Sequence, residues 1–347
     1  KQKRELIFEA LRDMLIRSSQ EMPLILVIED INWIDKTSEE FIDYMIGWLT
    51  NTSILLILLY RPEYKHSWGN KSYYTKIGLD KLGRGSSNEL IKAILEEGDV
   101  DPELRQLILN RAAGNPLFIE EFTLSLVENG SIKSKDGLYF LSQKASNIQI
   151  PDTIQGIIAA RIDRLEDNMK RTMQVASVIG RDFSFRILQA ITEISKELKS
   201  CLLNLLELEF IYEKRLFPEL EYIFKHALTQ EVAYNSLLLK RRKEIHAKIG
   251  TAVEEIYAER LEDFYEMLAF HFEQGQVWDK SLEYYVKAGI KARHAYSIQT
   301  AMNYFDKAKQ IAKKHTPNVT WRIHFDLLFE RGRTLMEMGQ GIYALEE

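Results

Sequence analysis

Two short, continuous apolar runs, LILVI from Leu24 to Ile28 and ILLILLY from Ile54 to Tyr60, flank an amphipathic segment and restrict the possible folds more than any other feature. Neither run alternates with polar residues, which is the pattern of strands covered on both faces. Between them TSEEFIDYMIGWL reads as a helix. Thr37 and Glu40 fit a capping box, and Phe41, Ile42, Met45, Ile46 and Leu49 form one apolar stripe. Strand, helix and strand in this order make a crossover unit, so the strands are expected to be parallel. Helices are expected near Ser87 to Glu97, Asp101 to Ala113 and Pro116 to Asn129, followed by a hairpin, SIKSKDGLYFL, turning at Asp136-Gly137. The 347 residues suit two or three domains of about 100 to 200 residues each.

In a parallel sheet ligands bind at the carboxyl ends of the strands. Glu29 and Asp30 directly follow the first run, and Arg61 directly follows the second. Two acids can hold a magnesium ion and its water, and an Arg beside them can sense a γ-phosphate, the parts that phosphoryl transfer requires. The same acidic pair could equally cap a following turn. A Gly-rich phosphate loop, GxxxxGK[ST], occurs nowhere in the chain, so the residues supply half of a nucleotide site. Residue 1 is Lys, and the first segment, KQKRELIFEALRDML, is a helix with no strand before it. The expectation is a fragment that begins downstream of a phosphate loop and stops in mid-pattern at GIYALEE, with no capping Gly or Pro.

Composition excludes several classes. A hydrophobic content of 46% is that of a folded globular chain. A net charge of -5 gives no electrostatic reason to expect nucleic acid as a partner. The single cysteine, Cys201, can form neither an intramolecular disulfide nor a Cys-rich metal site. The apolar runs are far shorter than the roughly 20 residues that span a bilayer, so no membrane association is expected and the cytoplasm is the default location.

The words VIEDINWID, TSEEFIDYMI, LLYRPEY and AAGNPLFIEEF, in that order, resemble the STAND-type branch of the AAA+ ATPases. The resemblance is to the cyclase-associated and origin-recognition-like group, found beside class III adenylyl and guanylyl cyclase domains. It implies ATP and Mg2+ as cofactors. Glu29 and Asp30 would then be the Walker B acids and magnesium ligands, and Arg61 would be sensor 1. Gly114, Asn115 and Pro116 would be the turn near the lid that contacts adenine. Where relatives often carry Asp, this chain has Glu29. Successive strand residues face opposite sides, so Asp30 is assigned to the chemistry and Glu29 to the metal shell. The Gly114 to Pro116 turn also has a purely structural reading, a helix-ending Gly before a Pro that starts the next helix.

Three domains are expected. Residues 1–146 form the ATPase part with its lid, an α/β partial P-loop domain with a parallel sheet. Residues 147–239 form a winged helix: PDTIQGIIAARIDRL, NMKRTMQVASVIG, SFRILQAI and SKELKSCLLNLLEL are helices, and EFIYEKR with ELEYIF is the wing. Arg161, Arg164, Lys170, Arg171 and Arg181 could contact DNA. The preferred account makes them a solvated face on a domain that reports nucleotide state, because the chain lacks a strong basic footprint. Residues 240–347 are an α-solenoid of truncated tetratricopeptide-like repeats, whose small residues let helices approach and whose concave surface would bind protein partners. Self-assembly is a further expectation. The cluster Lys240-Arg241-Arg242-Lys243 is read as a solvated helix face. His271 and His294 have no partner at metal-ligand spacing and are read as packing or surface residues. The function expected is an ATP-binding or ATP-hydrolysing switch module of a larger signalling protein, the fragment itself being inactive. The alternatives are a non-hydrolysing repeat scaffold with a degenerate nucleotide site and a winged-helix transcription regulator.

Overall fold

The computed structural model describes residues 2–145, 148, 151–192, 197–315 and 321–339. The word GIYALEE, the boundary at 146/147 and the start of SKELKS lie outside the described residues. The chain runs α1 (Gln2–Glu21), β1 (Leu24–Ile28), α2 (Lys36–Ile46), β2 (Ile54–Leu58), α3 (Arg84–Ile94), β3 (Asp99–Val100), α4 (Pro102–Ala112), α5 (Pro116–Glu128), β4 (Ile132–Lys135) and β5 (Leu138–Leu141). It continues through α6 (Ile154–Asp163), α7 (Asp167–Ile179), β6 (Asp182–Ser184), α8 (Phe185–Ile191), α9 (Leu198–Glu207), β7 (Ile211–Arg215) and β8 (Glu221–Phe224). The remaining helices are α10 (Ala227–Asn235), α11 (Leu239–Ile256), α12 (Tyr265–Gln274), α13 (Trp278–His294), α14 (Ile298–His315) and α15 (Trp321–Glu337). Helix dominates, the sheets are small, and the C-terminal helices stack as a solenoid-like array. Two compact units divide the chain: residues 1–78, 262–270 and 278–347 form one, and 79–261 with 271–277 form the other.

In the first unit β1 and β2 pair in parallel, Leu24 opposite Ile54 through Ile28 opposite Leu58. Their inward residues meet Ile31, Ile42, Ile46 and Trp68 in one core cluster. The opposite face is not covered by the described residues: Ile25 is 63% and Leu55 55% exposed. A run apolar at every position has such an outward row whether or not anything lies over it. Helix α1 is held to α2 by an edge-to-face contact between Phe8 and Phe41, 5.2 Å between centroids. The Arg12 guanidinium lies 4.4 Å over Trp48. The cap of α2 is Asp35, not Thr37: its carboxylate accepts the backbone N–H groups of Thr37 at 2.9 Å and Ser38 at 3.1 Å. Farther along, α13, α14 and α15 pack around Leu282, Tyr285, Phe305 and Leu327. Gly289 is required at the α13–α14 contact, because a Cβ there would stand 2.4 Å from the Phe305 ring.

In the second unit α3, α4 and α5 enclose a core of Ile91, Leu104, Ile108, Ile119, Phe122 and Leu126. The β4–β5 hairpin turns at Asp136-Gly137, both at positive φ. Helices α6 to α9 accompany a small antiparallel sheet in the order β6-β8-β7, whose first strand falls between α7 and α8, so the expected two-stranded wing carries a third strand. Arg161, expected on a solvated or DNA-facing surface, is 2% exposed. Its guanidinium donates to Glu121 at 2.6 Å and to Glu128 at 2.9 Å, and lies 4.6 Å over Phe210. The correction follows from its place in IIAARID, where α6 turns that position toward α5 and carboxylates wait there. Removing one partner of a buried ion pair leaves the other charge uncompensated. Arg161→Ala is therefore expected to lower stability by about 3 to 5 kcal/mol, measured by urea denaturation. A loss below about 1 kcal/mol would mean that water already solvates the cluster.

His246 and His271, each 2% exposed, face each other with their Nδ1 atoms 2.8 Å apart. Burial, aided by Arg242, pushes His246 down to about 4, and burial with His246 nearby pushes His271 down to about 3. Both therefore stay neutral in the fold where the unfolded chain, with histidines near pH 6.5, takes up protons first. Stability is expected to fall as pH drops from about 6.5 toward 4, by on the order of 2 kcal/mol per histidine at pH 5. Denaturation midpoints that coincide at pH 7 and pH 5 would contradict this.

Candidate functional site

The parallel pairing of β1 and β2 aligns their carboxyl ends. Leu59 donates its N–H to the Ile28 carbonyl at 2.9 Å, and Ile31 donates to the Leu59 carbonyl at 3.2 Å. Glu29, Asp30 and Arg61, all exposed, thus emerge from the same edge of the sheet. Asp30 adopts the left-handed conformation, φ 58 and ψ 36. A non-Gly residue there is uncommon, and Asp tolerates it better than most. The turn redirects the chain into a short helical turn, Ile31–Trp33, that buries Ile31.

Two residues hold Arg61. Its backbone N–H donates to Asn32 Oδ1 at 2.8 Å, and its guanidinium lies 5.1 Å over the Trp33 ring. Stacking an Arg on an exposed indole restricts its swing while leaving its N–H donors open. Sequence places Trp33 in the word VIEDINWID without assigning it chemistry, and marks nothing at Asn32. The adjacency INW after the acidic pair was the available signal. Beyond Arg61 an aromatic cluster braces the loop: His66 stacks on Trp68 at 4.8 Å, and the Tyr60 and Tyr74 hydroxyls lie 2.6 Å apart. The Tyr64 hydroxyl donates to Glu39 at 2.7 Å. Burial and that carboxylate push Tyr64 up to about 12.

Among the described residues no group of three or more His, Cys, Asp or Glu could hold a metal ion. Glu29 and Asp30 are two, and magnesium is commonly bound through one or two carboxylates plus phosphates and water.

The Gly114-Asn115-Pro116 turn lies in the second unit and is built as a helix-to-helix joint. Ala113 and Gly114 are both left-handed, at φ 47 and φ 78. Asn115 caps α5 by accepting the Phe118 N–H at 3.1 Å, and Pro116 opens that helix. Leu82 donates its N–H to the Gly114 carbonyl at 2.8 Å. A Cβ on Gly114 would stand 2.5 Å from the Leu82 carbonyl oxygen. Gly114→Ala is accordingly expected to cost about 1 to 3 kcal/mol, read from the thermal midpoint. An unchanged midpoint would show that the segment at Leu82 can move aside.

Residues 83–138, which contain α3, α4, α5 and most of the following hairpin, match a domain of unknown function (DUF8739). An uncharacterized protein of Rhizobium meliloti (strain 1021) is 25% identical over 292 residues, covering 82% of this chain and 28% of that protein. The fold is similar, with a TM-score of 0.50 and 13% identity, to the crystal structure of a Signal Transduction ATPase with Numerous Domains (STAND) protein with a tetratricopeptide repeat sensor from Pyrococcus horikoshii. That likeness covers 98% of this chain and 56% of the other. The chain thus spans less than two thirds of the length of either protein. No helix among the described residues is long and apolar enough to cross a membrane.

Proposed function

We propose that this chain is part of a nucleotide-dependent regulatory switch, in which a STAND-type ATPase region, a winged-helix region and a solenoid of protein-binding helices act together. The observation that carries this reading is the joint emergence of Glu29, Asp30 and Arg61 from one edge of a parallel strand pair. The likeness in fold to a STAND protein with a tetratricopeptide repeat sensor supports it.

In this reading Glu29 and Asp30 hold Mg2+ and orient the attacking water, and Arg61, steadied by Trp33, senses the γ-phosphate. Gly114, Asn115 and Pro116 offer backbone to the adenine while capping α5. Bound ATP favours one arrangement of the domains and ADP another, and the helices of α13 to α15 bias the two by binding a protein partner.

Without a Gly-rich loop in these 347 residues, the chain by itself is expected to bind ATP no tighter than about 1 mM. In a polypeptide that supplies such a loop ahead of α1, Asp30→Asn is expected to slow phosphate release at least about 100-fold while leaving ATP affinity within a few-fold. Calorimetry and a phosphate-release assay read the two effects. Unchanged turnover would remove Asp30 from the chemistry.

A further inference from the structure

The turn between α10 and α11, Ser236 to Leu238, is held from beneath by Arg242. Its Nε donates to the Leu237 carbonyl at 3.0 Å and its Nη2 to the Asn235 carbonyl at 2.9 Å, while the guanidinium lies 4.5 Å over Tyr234. Arg242 thus ties the last carbonyl of α10 to the turn that follows it, and the solvated-face reading of the cluster fails for this one member. The clamp fixes a turn that holds two leucines in water: Leu238 is 80% and Leu239 71% exposed. Lys240, Arg241 and Lys243, all exposed, follow them directly.

Beside the leucines, where α7, α8 and α11 pack together, lies a cleft of about 340 Å³. Val175, Ile191, Leu237 and Ile245 give it apolar walls. Arg171 and Arg241 stand at it as cations; Arg241 is already paired with Glu244 at 3.2 Å, whereas Arg171 makes no ion pair or hydrogen bond with the described residues. The Thr192 hydroxyl that also lines it is buried without a hydrogen-bond partner. A cleft of mixed apolar and polar lining, an orphaned hydroxyl, an unpaired guanidinium and an exposed leucine pair on a clamped turn are together the makings of a docking surface.

We infer that this surface, within a chain of net charge -5, binds an acidic amphipathic helix of a protein partner. One apolar side chain of that helix enters the cleft and its neighbours cover Leu238 and Leu239. Its carboxylates meet Lys240, Arg241 and Lys243, and one forms a forked pair with Arg171. The four cations select against a basic partner as strongly as they favour an acidic one. The inference is independent of nucleotide binding.

The test is fluorescence anisotropy with the full 347-residue chain and a labelled helical peptide of about 16 residues, leucines at i, i+3, i+4 and i+7 and glutamates elsewhere. Saturable binding that weakens with added salt is expected. The double variants Arg171→Gln with Arg241→Gln, and Leu238→Ser with Leu239→Ser, should each weaken it at least about tenfold. Should circular dichroism show either pair misfolded, Lys240→Gln with Lys243→Gln provides the reading, with an expected loss of about threefold. No binding of the acidic peptide would overturn the inference, as would equal binding of the same peptide with lysine in place of glutamate. Binding to phosphatidylserine vesicles, or self-association abolished by the leucine variants, in either case without binding of the acidic peptide, would overturn it too.

Discussion

A single buried cation organises the second unit. Arg161 has almost no access to water, and neither has Glu121, so each stands as a buried counter-charge to the other. Glu128 closes the far side of the guanidinium and is shared with Arg164. The residue before Glu121 points elsewhere: Glu120 lies 2.6 Å from Lys225 Nζ and 3.3 Å from His226 Nε2. The hydrogen bond to the His226 ring, and after it the Lys225 ammonium, hold its carboxyl down to about 2 despite partial burial. Two adjacent acids of α5 therefore clip that helix to α6 on one side and to the end of β8 on the other. The word FIEEF, met first as part of a nucleotide-binding resemblance, has this structural account of its acids.

Much of the fold was legible because it rests on local periodicity. The crossover of β1, α2 and β2, the helices α3, α4 and α5, and the hairpin at Asp136-Gly137 all follow from spacing, turn residues and capping. What escaped depends on residues distant in sequence. Arg161 finds Glu128 and Glu121 at separations of 33 and 40 residues, and no local pattern announces that a cation in IIAARID will be buried. The start of α2 was misplaced because Asp35 and Thr37 are both good capping residues, and only the bonds to Thr37 and Ser38 choose between them. Strand β6 spans only Asp182–Ser184, too short for an alternation to register.

The candidate site divides in the same way. Glu29, Asp30 and Arg61 could be brought to one edge by reasoning alone, since parallel strands put equivalent ends together. The supports could not. Asn32 reaches a backbone N–H that is its neighbour only after β2 has returned, and Trp33 gains meaning only beneath Arg61. For Gly114 to Pro116 the structural reading made from sequence is the geometry seen, and any contact with adenine would be added to it without replacing it.

The close approach of Phe305 to Gly289 has a consequence for form as well as for stability. The ring occupies the volume that a side chain on α13 would fill, so this one site sets the separation between α13 and α14. In a stack of helices each small offset between neighbours is repeated and summed along the array. A methyl group at position 289 would therefore act as a wedge, opening the angle between two helices and altering the curvature of the surface that they present.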